Sequence, residues 1–287
     1  MTMKKIFYFF AATLVLAAVG CSKDEVANEG VEYVSELKLN FGKGDSRVAV
    51  THNPASGLKF AWEDGDEIMV LENGNANSTT YYYVYDAATE SFKPKYDSYK
   101  MRAGKVYFAV NHTRQTSIFL SVEDGKSVVK MNIERKEPYG LSNIPMITDV
   151  FTADANGTIA TMHHLVGVVE IPVKLAEDSN VTEVDKFSLF VSGAKLGRDF
   201  TATPEAPYVK DISEAYDTSS VAGCELSTET ATSIFIPVLP GEYGEGYFNL
   251  NHSSGSGSVK TEAMTVKRGM ITKLTEKTKR LKVSVEE

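Results

Sequence analysis

Between residues 31 and 41 apolar and polar side chains alternate. Val31, Tyr33, Leu37, Leu39 and Phe41 fall on one parity, with Ser35 the only break. Glu32, Glu36, Lys38 and Asn40 fall on the other, where Val34 is the exception. A period of two held over this length predicts a β-strand with one buried face. Short stretches of the same character recur down the chain. Residues 48–50, 58–62 and 68–71 are the next candidates, followed by the aromatic, β-branched stretch 79–85 and by 106–110, 117–122 and 128–133. Later candidates are 164–175, 187–191, 233–238, 246–251, 263–266 and 271–274. Asn156 and Gly157 form a dipeptide that two-residue hairpins favour, because both central positions take positive φ. The run from Ser253 to Ser258 reads as a hairpin tip. No window long enough for a helix carries a 3.6-residue period, and Thr, Val, Tyr and Phe enrichment favours strand. The pattern predicts an all-β chain built from sandwiches, not from βαβ units.

The start of the chain has a different pattern. Lys4 and Lys5 precede an uncharged apolar run over residues 6–19, too short to span a bilayer comfortably and ending in small residues, so residues 1–20 read as a cleavable signal peptide. Ala18, Val19 and Gly20 stand directly before Cys21, the pattern of a bacterial lipoprotein signal. On that reading the Cys21 thiol is acylated, the chain is cut before it, and the new amino group is acylated as well. Each buried methylene of an acyl chain contributes about 0.8 kcal/mol, and stable anchoring takes more than one chain. Ser22, Lys23, Asp24 and Glu25 resemble a Lys-acidic-acidic tag that sends lipoproteins to the outer face in one group of Gram-negative anaerobes. Residues 21–30 are small and polar and form a tether. A break near residues 155–165 divides the rest into an N-terminal domain, 31–160, and a C-terminal domain, 161–287, with no flexible linker between them.

Charge and cysteine content narrow the function classes. The formal net charge is −8, and signal cleavage removes two lysines and no acid. An acidic chain without a basic block has no electrostatic case for nucleic acid. Cys224 is the only cysteine besides Cys21, so no disulfide framework is available and stability must come from packed cores. Cys224 itself reads as a small buried apolar side chain.

No catalytic constellation emerges. The five histidines are scattered, and His163 and His164, adjacent on a strand, would point to opposite faces, which is poor geometry for two ligands of one metal. Such a histidine reads as a hydrogen-bonded residue at the domain junction. Glu63, Asp64, Asp66 and Glu67, and separately Asp154 with Asn156, group oxygens that calcium accepts, without the spacing of an EF-hand loop. A carboxylate pair for glycoside hydrolysis would meet only in the fold, and nothing singles one out. Tyr81, Tyr82, Tyr83 and Tyr85 could stack on sugars, but on a strand alternate members belong to a core or sheet face. We expect no enzyme, no metal and no cofactor.

One ordered set of motifs is more specific. Phe60, Trp62, Gly65, Asp66, Ile68 and Val70 resemble the Phe-x-Trp-x-x-Gly-Asp-x-Ile-x-Val signature of the fimbrillin-like lipoproteins of Gram-negative anaerobes. Physically this is a strand, a tight turn and a second strand, with Trp62 and Ile68 as core anchors. Arg47 lies shortly upstream. The stretch from His163 to Val169 resembles the family's histidine-led strand opening the C-terminal half. Pro240 with Gly241, and Lys267, Arg268 and Gly269, look like its late Pro-Gly and basic-Gly turns. The resemblance implies two β-sandwich domains of transthyretin-like architecture, exported as a lipidated precursor to the outer membrane and exposed at the cell surface. It also implies an Arg-specific cut in the loop after the first strand, at Arg47. Losing the strand that carries Val31, Tyr33, Leu37, Leu39 and Phe41 would open a groove for a strand of another subunit. The alternating tail residues Leu281, Val283 and Val285 are the candidate donor strand. The function so implied is a fimbrial subunit or adhesin-like structural protein, with other subunits, host proteins or glycans as partners. A carbohydrate-binding surface lipoprotein for nutrient capture is the alternative, and it predicts a solvent-facing aromatic patch.

Overall fold

Strands form where the chain carries β-branched and aromatic runs between turn residues. The computed structural model describes residues 30–41, 51–53, 57–59, 62–111, 119–133, 144–192, 196, 199–206, 208–214, 218–253 and 255–281. These residues form strands only, without a helix. The first eight are β1 (Leu37–Phe41), β2 (Thr51–Asn53), β3 (Gly57–Lys59), β4 (Glu67–Glu72), β5 (Tyr81–Asp86), β6 (Ser91–Pro94), β7 (Val106–Asn111) and β8 (Phe119–Glu123). Next come β9 (Lys126–Asn132), β10 (Met146–Thr148), β11 (Phe151–Thr152), β12 (Thr158–His164), β13 (Gly167–Leu175), β14 (Lys186–Val191), β15 (Asp199–Ala202) and β16 (Val209–Glu214). The last are β17 (Thr218–Ala222), β18 (Thr232–Val238), β19 (Gly241–Tyr243), β20 (Gly246–His252), β21 (Gly255–Thr261), β22 (Met264–Val266), β23 (Ile271–Lys273) and β24 (Lys277–Lys279).

The largest sheet runs β10-β12-β1-β6-β5-β4-β7-β11, and β10 also pairs with β7, so it curls into a barrel. Two of its seams are thin. β1 meets β6 only at Leu37 and Phe92, and β10 meets β7 only at Ile147 and Val110. These seams divide the barrel into one leaf of β10, β12 and β1 and another of β6, β5, β4 and β7. Its interior is a cluster to which all eight strands contribute, including Leu37, Ile68, Tyr83, Phe92, Tyr107, Met146, Phe151 and Met162. Ile68 and Val70 of β4 face this interior, whereas Met69 and Leu71 enter a second cluster on the outer face. Tyr107 and Ala109 of β7 divide from Phe108 and Val110 in the same way. A strand covered on both faces has no polar parity, which is why 68–71 and 106–110 read as unbroken apolar runs.

That second cluster joins residues from both sides of position 160. Met69, Phe108, Val129 and Ile147 pack there with Leu165, Phe200, Tyr208 and Phe235. The sheet β16-β15-β9-β8 crosses the same boundary, since β9 pairs with β15 over Asp199–Ala202. Residues from Tyr33 onward consequently cluster as one unit. A third core lies wholly C-terminal, where Phe187 and Phe248 stack at 5.6 Å among Val169, Ile171, Val173, Ile234, Ile236 and Leu281. It is built from β18-β13-β23, with β24 also on β13, and from β17-β14-β20-β21.

Three local expectations are corrected. The stretch 164–175 is two strands: His164 ends β12, and β13 starts only at Gly167, so the histidine pair closes one strand and does not open the next. Asn156 and Gly157 do not close a hairpin, because β11 pairs with β7 while β12 pairs with β1 and β10. Asp154 determines this turn: its Oδ1 accepts the Asn156 amide at 2.9 Å and its carbonyl accepts the Gly157 amide at 3.2 Å. The glycine at 157 has φ 123°, and Asn156 is not left-handed. The serine–glycine run does cap a hairpin, but the pairing of β20 with β21 reaches into it, with His252 already opposite Gly255.

Leu37 is wholly buried in the barrel interior while its neighbour Lys38 points to solvent. Leu37→Ala is expected to cost about 3 kcal/mol of unfolding free energy. Lys38→Ala should change it by less than about 0.5 kcal/mol. Urea titration of both variants checks this, and similar midpoints would contradict the burial described.

Candidate functional site

The first strand is seated asymmetrically. β1 pairs in parallel with β12 along its whole length, from Leu37 opposite Thr158 to Phe41 opposite Met162. On its other side it has the single pair with Phe92. Leu39 and Phe41 pack partly buried against the barrel interior. Phe41 lies 5.7 Å from Trp62, which meets Phe92 edge-on at 4.9 Å. Tyr85 closes this aromatic group, 5.2 Å from Phe92. The Trp62 expected from sequence as a core anchor thus roofs the far end of β1.

Residues 31–36 depart from the expected alternation. Tyr33 is 41% exposed and lies opposite Arg102, while Val34, expected on the polar parity, is fully buried. Val34 bonds away from β12: its amide donates to the Met101 carbonyl at 2.9 Å, and its carbonyl accepts the Tyr83 hydroxyl at 2.8 Å. The Met101 amide donates to the same hydroxyl oxygen at 3.2 Å. Burial pushes the Tyr83 phenol well above its ordinary range, so it stays a donor. The strand therefore begins at Leu37, and Val31 and Tyr33 do not belong to it. Cys21, Arg47, Val283 and Val285 lie outside the described residues.

Leu281, the candidate donor residue that is described, is buried in the C-terminal core of its own chain. β24 leads to it along β13, from Val173 opposite Lys277 to Leu175 opposite Lys279. The Leu281 amide donates to Ser179 Oγ at 3.2 Å and its carbonyl accepts the Asn180 amide at 3.1 Å. Gly257 leaves room for this crossing, because a Cβ there would lie 2.6 Å from Leu281 Cδ2. Lys277 pairs with Glu262, whose other oxygen accepts the Thr275 amide at 2.6 Å.

The remaining candidates are engaged internally. Asp66 Oδ2 accepts the Glu63 amide at 2.8 Å, Asp64 Oδ1 accepts the Ala87 amide at 3.1 Å, and Glu67 pairs with Lys95 at 2.6 Å. Burial raises the Asp66 carboxyl from its ordinary value, against the Glu63 amide that lowers it. Cys224 is half-buried, and burial pushes its thiol up. Among the described residues no three His, Cys, Asp or Glu side chains gather as a metal site. Tyr81, Tyr83 and Tyr85 pack toward the barrel interior, whereas Tyr82 faces the other way and meets Tyr96 edge-on at 6.5 Å. Tyr96 and Tyr99 are 49% and 55% exposed and flank a turn in which the Tyr99 amide donates to the Tyr96 carbonyl.

His163 and His164 are both buried. His163 pairs with Asp149 at 2.9 Å and stacks on Tyr208, whose hydroxyl donates to Asp149 at 2.7 Å. Burial, and then Asp149, raise the Tyr208 phenol above its ordinary value, while Arg268 opposes them. Asp149 and Tyr208 carried no signal in the sequence, and Arg268 was marked only as part of a basic-Gly turn, because the three come from separate loops.

No family model matches the chain, and no curated protein does. Its fold is similar to that of a "putative cell adhesion protein" from Bacteroides ovatus, with TM-score 0.52 and 13% identity over 85% of this chain and 95% of that one. A fimbrial protein from Bacteroides vulgatus aligns with TM-score 0.42 and 9% identity over 84% and 95% of the two chains. At these identities the first likeness is one of fold.

Glu262 supplies a test of how the tail is held. Burial alone would raise its carboxyl, but the Lys277 ammonium and the Thr275 amide outweigh it and hold the value at about 2, below the ordinary 4.5. A depressed carboxylate contributes stability that is present above pH 4.5 and lost as pH falls toward 2. Glu262→Gln should therefore be less stable than the parent at neutral pH, with the difference shrinking across that window. Urea midpoints from pH 7 to pH 2 measure it, and a constant difference would contradict the assignment.

Proposed function

We propose that the protein is a lipid-anchored, cell-surface structural subunit of fimbrial or adhesive type, assembled by exchange of its first strand. The observation that carries this reading is the one-sided seat of β1. The strand holds a full ladder with β12 and a single pair with β6, yet it fills the barrel interior with Leu37. Its loss would leave an unpaired edge on β12 beside an apolar slot, the arrangement that strand addition uses. Backbone bonds then give affinity, and alternate side chains give register. On this reading Cys21 carries the acyl chains, Arg47 is the processing site, and the excised segment bears Leu37, Leu39 and Phe41. Leu281, Val283 and Val285 become the donor only when Leu281 leaves its own core. The two thin seams support reading the barrel as a sandwich of two leaves. Residues 31–160 and 161–287 are then two transthyretin-like sandwich domains that share the core around Phe108 and Phe200. The chain acts without catalysis, at the outer membrane, with other subunits as partners.

Treatment with an Arg-specific protease, beside an Arg47→Ala control, tests this. The parent should lose the segment before residue 48 and form ladders on native sizing, while the variant stays uncut there and monomeric. A cut chain that retains β1 and remains monomeric would end the strand-exchange reading.

A second reading, glycan capture, is favoured by the exposed turn of Tyr96 and Tyr99 beside Lys95 and Asp97. Aromatic faces next to hydrogen-bonding groups suit sugar rings. Replacing both tyrosines by alanine should weaken retention on a polysaccharide column about tenfold without changing the urea midpoint. Unchanged retention would remove this turn from consideration.

A further inference from the structure

Where the leaf of β10, β12 and β1 meets the C-terminal half, four side chains from four separate segments converge. Asp149 Oδ1 accepts the Tyr208 hydroxyl at 2.7 Å, and Asp149 Oδ2 lies 2.9 Å from His163 Nε2. A carboxylate only accepts, so Nε2 carries the proton. The His163 ring stacks on Tyr208 with centroids 4.7 Å apart. The Arg268 guanidinium lies 4.6 Å from the centroid of the same phenol ring, within cation–π reach.

The backbone places each member. The Asp149 amide donates to the Thr161 carbonyl of β12 at 3.0 Å, and His163 stands opposite Ile147 of β10. Arg268 sits in a turn that is tied to the link between β12 and β13 through the Gly269 amide, 2.9 Å from the Val166 carbonyl. Tyr208 is left-handed, with φ 69°, and is held there by the Thr203 amide on its carbonyl and by its own amide on Glu205. A bulky residue in that conformation persists only where its surroundings over-determine it. Here they aim the phenol at Asp149.

We propose that Asp149, His163, Tyr208 and Arg268 form a latch that clamps the end of β12 to the C-terminal half and so sets how readily β1 leaves. β12 holds β1 through residues 158–162, and the next residue, His163, is the latched one. Among the described residues β1 has no second full ladder, so its retention depends on β12 keeping position. The biological sense of the latch rests on the strand-exchange reading, but its mechanical content concerns the uncut chain.

Hydrogen exchange followed by mass spectrometry on the detergent-extracted full chain tests it. Y208F keeps the ring and removes only the hydroxyl; D149N keeps the shape and removes the charge. In either variant, amides of β1 and β12 should exchange about tenfold faster, the effect of losing one charge-assisted hydrogen bond. Amides of β14 and β20 should stay within about a factor of two of the parent. Unchanged protection of β1 and β12 overturns the latch, and so does an equal rise in every strand, which would make the cluster a general stabiliser. A selective rise without assembly after cleavage keeps the latch and removes strand exchange. Assembly after cleavage without a selective rise does the reverse.

Discussion

The parallel ladder between Leu37–Phe41 and residues 158–162 is the constraint on which the barrel depends. Two segments over a hundred residues apart in sequence must meet before the leaf of β10, β12 and β1 exists. The ordering entropy of such a contact is offset only by burial, and Leu37, Met162 and Ala160 supply it from adjacent strands. The opposite leaf is different in kind. β4, β5 and β6 follow one another through short turns, and β7 adds to β4 in antiparallel register, so most of its contacts are local by comparison. The barrel thus combines a leaf assembled by neighbours with one closed by a distant strand, and the two thin seams lie where these leaves meet.

The shared core shapes the rest. Because β4 and β7 are apolar on both faces, the barrel cannot stand with its outer face in water, and β15, β18 and the start of β13 cover it. Covering it draws β9 out of the N-terminal half to pair with β15. The two halves are then joined by a sheet as well as by a core. Polar groups at this boundary must be satisfied locally, and the Asp149 carboxylate does so for both His163 and Tyr208.

Much of this architecture was legible in the sequence wherever a strand's partner lies nearby or its burial is symmetric. The predicted runs 68–71, 106–110, 187–191, 233–238 and 246–251 fall within β4, β7, β14, β18 and β20. Legibility failed where a distant contact overrode local pattern. The parity of residues 31–36 breaks because Val34 is claimed by Met101 and Tyr83, from elements far along the chain. The run 164–175 divides because His164 pairs with Met146 while Val168 pairs with Pro237 and Ile271. Asn156 and Gly157 carry a hairpin signature, yet the side chain of Asp154 sets the turn. Asp149 and Tyr208 were invisible for the same reason, and Arg268 showed only as a turn residue, whereas the place of His163 at the boundary followed from its position in the chain.

On the proposed strand exchange, β1 must be both core and removable, and these demands oppose one another. Inward, full burial of Leu37 helps hold the barrel closed. Along the sheet, β1 must not be locked on both edges, because each added ladder raises the barrier to leaving. The geometry separates the two demands in space. Side-chain burial is concentrated at Leu37, the one residue of β1 that also pairs with β6, while Leu39 and Phe41 are only partly covered. Peeling from the Phe41 end would therefore break the aromatic contact with Trp62 first and the β6 pair last. The end that opens first is the end from which the chain runs on toward Arg47. It also borders His163, so on the proposed exchange the firmness of β12 at that point would govern the first step of release.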